Sequence, residues 1–130
     1  MNDEQIEQEI QAKGLTAPRV TPQDIEDNIG SEYFFSAADG IIGNIETTGA
    51  VPFVYETHLQ LLTFCVIVLR NGFTVTGESA CVSHENFDAE LGRKIARQNA
   101  VDKIWPLMGF ALKDRLYWQH NGLKSGQQDG

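Results

Sequence analysis

Arg93 and Arg97 stand four residues apart, with Lys94 and Asn99 beside them, Phe87 shortly before and Arg115 further on. Four residues is about one helical turn, so the two guanidinium groups share a face. Like charges at that spacing cost roughly 0.2–0.5 kcal/mol unless an acid or a bound anion lies opposite. Arginine's planar fork suits phosphate oxygens, and an aromatic ring such as Phe87 can stack on a base. The plainer readings are a solvated helix face, or one docked on the acidic N-terminal third of another subunit. Phe87 would then be a packed staple at the helix start.

Other chemistry is harder to assemble. There is no P-loop, GxGxxG, HExxH or GxSxG. His58, His84 and His120 are far apart in sequence, and Cys65 and Cys81 lie on two arms of one hairpin. Two sulfurs do not make a zinc site, and a free cysteine packs as a small hydrophobe. Ser79 and Cys81 have Glu78 and His84 nearby, but strand alternation aims neighbours to opposite faces. The sequence is therefore read as a non-enzyme, with no catalytic residues, no metal ligands and no cofactor.

Charge sharpens where an anion could go. The chain has 130 residues and a formal charge of −8, with 42% hydrophobic residues, a globular rather than a disordered share. Such a charge argues against coating long nucleic acid. Residues 1–60 carry eleven acids and only Lys13 and Arg19, whereas residues 61–130 hold seven acids and eight bases. Between Arg93 and Arg115 six bases face Asp102 and Asp114, a local +4. Two cysteines are too few for a disulfide scaffold. The polar, acidic first ten residues do not resemble a signal peptide. No apolar run approaches the roughly 20 residues of a membrane span. A cytoplasmic protein is expected, with no membrane partner.

The elements that would hold these residues are those of an α+β fold. An acidic helical arm is expected over 1–30. Its first helix covers 3–13 and stops at Gly14; a second starts at Thr21-Pro22-Gln23-Asp24, where Thr21 caps and Asp24 completes a capping box. A single α+β domain over 31–120 follows, then a flexible tail at 121–130. Glu32 to Ala38 reads as a short strand closed by an Asp39-Gly40 turn. The stretch 41–59 reads as loop with one strand around Val51 to Tyr55. Leu62 to Leu69 is apolar on both faces, as a central strand of an antiparallel sheet would be. Asn71-Gly72 is a hairpin turn signal, and the return arm from Phe73 to Val82 alternates, as a half-exposed neighbour would. Asn86 or Asp88 caps the helix that carries Arg93. Pro106 and Gly109 predict a kink or break, giving two C-terminal helices.

Three runs carry a resemblance: residues 69–82 (LRNGFTVTGESACV), 86–96 (NFDAELGRKIA) and 99–110 (NAVDKIWPLMGF). Together they resemble a family of small bacteriophage and prophage proteins of unassigned role, over at least residues 62–116 and also over 21–40. The layout of sheet followed by C-terminal helices is similar to the phage anti-Thoeris sponge proteins of the first class. That likeness implies a protein that binds a cyclic ADP-ribose-type signal, or a cyclic oligonucleotide, without cleaving it. It would deplete a signal made by a host TIR-domain enzyme and would act as a dimer or hexamer. It also implies a pocket in which an aromatic ring and an arginine sandwich adenine while other arginines hold phosphates. By residue type and neighbourhood the ligand-binding candidates are Phe87, Arg93, Arg97, Asn99 and Arg115. Pro106 departs from the continuous helix expected there. The alternative is a phage early protein that inhibits a host protein by direct contact through its acidic surface.

Overall fold

A computed structural model describes residues 2–49 and 57–122. The order is α1 (Asp3–Ala12), α2 (Pro22–Asp27), β1 (Ile29–Ser36), α3 (Ala37–Thr48), a 3-10 turn (Thr57–Leu61), β2 (Leu62–Leu69), β3 (Thr74–Ala80), a second 3-10 turn (His84–Asn86) and α4 (Ala89–His120). This is the expected α+β class. The chain groups into two compact units, one made of residues up to Asn28 with those from Ile104 onward, the other of Ile29–Lys103.

In the second unit the three strands form one antiparallel sheet in the order β1-β2-β3. β2 is central because both its faces are apolar. On one face Thr63, Cys65, Ile67 and Leu69 are buried, while Phe64, Val66 and Val68 on the other are half-buried. β3 alternates as expected, with Val75 and Gly77 buried between exposed threonines. The hairpin closes over Arg70, Asn71 and Gly72: the Leu69 amide donates to the Phe73 carbonyl at 2.8 Å. Gly72 has φ +90°, a conformation that other residues enter only with strain.

The first part of α4 lies on the buried face. Cys65 is paired with Gly77, and over Gly77 the helix presents Ala96 and Ala100, both fully buried. Gly92 lies over Thr63, whose hydroxyl would be 3.2 Å from a Cβ added there. Asp88 caps this helix, its Oδ1 accepting from the Leu91 amide at 3.1 Å.

Two local expectations are corrected. The stretch after β1 is a helix, not a turn and loop. Ser36 Oγ accepts from the Asp39 amide at 3.1 Å and Asp39 Oδ2 from the Ser36 amide at 3.0 Å, a capping box that makes Asp39-Gly40 the first turn of α3. Gly40 and Gly43 each disfavour helix by about 1 kcal/mol relative to alanine. The cap and the partly buried Ile41, Ile42 and Ile45 outweigh them, and Gly49, at φ +70°, ends the helix. The strand expected around Val51 to Tyr55 lies outside the described residues, as do residues 123–130 of the expected tail. The second correction is at the C-terminus, where one helix of 32 residues replaces two and Pro106 sits inside it. Buried Ala100, Val101 and Ile104 anchor the turns before the proline, so loss of one backbone hydrogen bond does not end the helix.

In the first unit the expected cap of α2 forms, and α1 carries one that the sequence reading did not name. Asn2 and Gln5 make a capping box for α1. Thr21 and Asp24 make another for α2, with Pro22 at the first helical position. α1 buries none of its residues, so polar contacts hold it. Arg19 engages both carboxylate oxygens of Glu7, with Nη2 to Oε2 at 2.7 Å, and Trp105 Nε1 donates to Asp3 at 3.3 Å. The Arg19 hydrogen bonds, helped by one from Gln11, hold the Glu7 carboxyl down at about 2 against an ordinary 4.5. A carboxyl lower in the folded than in the unfolded chain adds stability above its unfolded value and loses it as pH falls through the folded one. The anchor of α1 is therefore expected to weaken as pH drops from about 4.5 towards 2. Glu7→Gln should flatten that part of the stability profile, read from urea midpoints across the pH range.

Candidate functional site

The end of β1 and the start of α4 border one cleft of about 270 Å³, in the unit formed by Ile29–Lys103. Phe34 and Phe35 come from the aromatic run of β1, and Ser36 and Asp39 from the cap of α3. Phe87 follows the second 3-10 turn, and Arg93 projects from the second turn of α4. The capping box fixes the place of the carboxylate: with Asp39 bound to the Ser36 amide, the chain reverses where β1 delivers its rings. Phe35 also packs on Phe64, ring centroids 5.6 Å apart at 33°. Phe87 is held by its amide, which donates to the His84 carbonyl at 3.1 Å.

The cations of the +4 stretch differ in what they have to spare. Lys94 pairs with Glu90 at 3.4 Å, both exposed. Arg97 Nε donates to Glu32 Oε2 at 2.9 Å. Glu32 is thus the acid that the Arg93–Arg97 spacing calls for, and it comes from the same chain. Arg93 is exposed and, among the described residues, forms no ion pair or hydrogen bond. It keeps its full donor fork for a ligand. Aromatic faces beside an unengaged guanidinium suit a flat, anionic, ring-bearing molecule.

Of the five candidates from sequence, Phe87 and Arg93 are brought together here. Arg97 lies one turn further along α4 on Glu32. Asn99 is used structurally: its Nδ2 donates to the Glu78 carbonyl of β3 at 2.8 Å. Arg115 belongs to the other unit, where it lines a cleft of about 460 Å³ with Arg19, Asp24 and Asp27. Sequence reasoning missed Phe34 as a site residue, having read it only as strand. The Ser36-to-Asp39 capping spacing was the available signal that the strand ends beside it.

The remaining reactive groups are placed as follows. Cys65 is buried and Cys81 half-buried, both free. Burial pushes the Cys65 thiol up, which suppresses the nucleophilic thiolate. Cys81 Sγ donates to the Ser83 carbonyl at 3.1 Å. Among the described residues no three His, Cys, Asp or Glu side chains gather as a metal would need, and no helix is long and apolar enough to cross a membrane.

No curated protein matches the chain, and no solved structure does. One family profile does match, over residues 20–116, from just before α2 to the last turns of α4, and so takes in the whole cleft. The chain belongs to the phage protein (N4 Gp49/phage Sf6 gene 66) family.

Proposed function

We propose that this phage protein binds a cyclic nucleotide signal, of the cyclic ADP-ribose type or a cyclic oligonucleotide, and sequesters it without cleaving it. The observation that carries the reading is that Phe34 and Phe87 line one cleft with the unengaged Arg93, while the Phe35 ring turns to the other face of β1 against Phe64. The rings offer a base its stacking partners, and Arg93 meets a phosphate. Supporting it are the resemblance to the anti-Thoeris sponges and the phage family itself. Sequestration asks for tight binding and enough copies rather than for a catalyst, and the reading includes assembly as a dimer or hexamer.

Calorimetry with cyclic ADP-ribose isomers and cyclic di- and trinucleotides should show binding to one of them, and the ligand recovered after heat denaturation should be intact. Silence with all of them would sink the proposal, and degraded ligand would make the protein an enzyme. Arg93→Ala is expected to weaken binding at least tenfold, about the 1.4 kcal/mol of one good charged hydrogen bond. The same calorimetry on that variant checks it.

A further inference from the structure

The first unit holds a second, chemically different cleft of about 240 Å³, independent of the nucleotide reading. Its floor is apolar: Ile6 and Ile10 from α1, Val20 and Pro22 from the approach to α2, and the Trp105 indole from α4. Ile6 is 42% exposed, so the short apolar stripe of α1 is half covered by its own chain. A helix of ten residues with no fully buried side chain is marginal by itself. Its apolar side has surface left for a partner.

Two observations select the occupant. The cleft is lined mainly by apolar side chains, which suits one large apolar side chain of a partner as an anchor. Its surroundings are strongly acidic. Residues 2–28 hold seven acids against Lys13 and Arg19, and both bases are already matched by acids of the same stretch, Lys13 by Glu9 at 3.0 Å and Arg19 by Glu7. The described remainder of the unit adds only Lys113 and Arg115 against Asp114, leaving a net −4. Such a field attracts cationic partners and repels acidic ones or nucleic acid.

We infer that this cleft docks a basic segment of another protein, one large apolar residue seated on Ile6 and Trp105 with flanking lysines or arginines over the acids of α1 and α2. Trp105 reports directly on occupancy. With Trp118→Phe, Trp105 is the one tryptophan left in the chain. The probe is a short lysine-rich peptide with one central leucine. It is expected to shift Trp105 emission saturably, and binding should weaken at least tenfold when that leucine becomes glycine or when Ile6 becomes aspartate (I6D). The same peptide with glutamate for every lysine should leave the emission unmoved. Unmoved emission with the basic peptide, or equal binding of the leucine and glycine peptides, would overturn the inference. The glycine peptide is tested on a protein with intact α1, so the result does not depend on the I6D variant folding. Neither outcome touches the Phe87–Arg93 cleft, which lies in the other unit.

Discussion

Gly77→Ala is expected to destabilise the protein by about 3 kcal/mol or more, beyond the usual range for overpacking a core. A methyl group built on Gly77 would sit within 3 Å of the Ala96 carbonyl oxygen and the Ala100 amide nitrogen, and 2.9 Å from the Asn99 carbonyl carbon. These are backbone atoms of α4. They cannot rotate away as a side chain would, so the helix must lift off the sheet. Lifting it would loosen buried Cys65 and Ile67 beneath and strain the Asn99 bond to the Glu78 carbonyl. Thermal unfolding should show the midpoint falling by about 10 °C or more. A change within a degree or two would mean that the helix–sheet contact yields readily. Since α4 also carries Arg93, any binding at the proposed cleft should fall in step with the folded fraction.

Pro106→Ala is expected to act in the opposite direction, stabilising the protein by about 2 kcal/mol. Proline in a helix interior is about 3 kcal/mol less favourable than alanine, because its ring crowds the carbonyl four residues back and it lacks the amide that would bond there. About 0.4–1 kcal/mol of that is returned when the unfolded chain regains freedom. Pro106 is exposed, so little packing is lost with the ring. The midpoint should rise by about 5 °C or more. A fall would show that the proline ring contributes to the packing around Ile104 and Met108.

The two predictions mark where sequence reasoning held and where it did not. The hairpin was legible because both faces of Leu62 to Leu69 are apolar and Asn71-Gly72 can turn at positive φ. The N-terminal caps at Thr21 and Asp24 were legible because a capping box is a local pattern that needs no distant partner. α3 was missed for the opposite reason. Its glycines speak against helix locally, and its capping box had been assigned to a turn. Pro106 was over-read because local rules do not register how firmly Ile104 is held on the preceding turn.

The candidate cleft divides in the same way. Helical spacing alone placed Arg93 and Arg97 on one face, and charge counting alone located the positive stretch. Which arginine stays available depended on Glu32, 65 residues away along the chain and opposite Ile67 in the sheet. By itself the sequence determined the α+β class, the central strand, the starts of α1, α2 and α4 and the regional charge, since these follow from periodicity, capping and composition within a few residues. Only the tertiary structure decided that Phe34 joins Phe87, that Arg97 is engaged while Arg93 is not, and that Asn99 serves a strand edge. Those outcomes depend on long-range pairing: a one-residue change of register in β1 would turn Glu32, Phe34 and Phe35 to the opposite face.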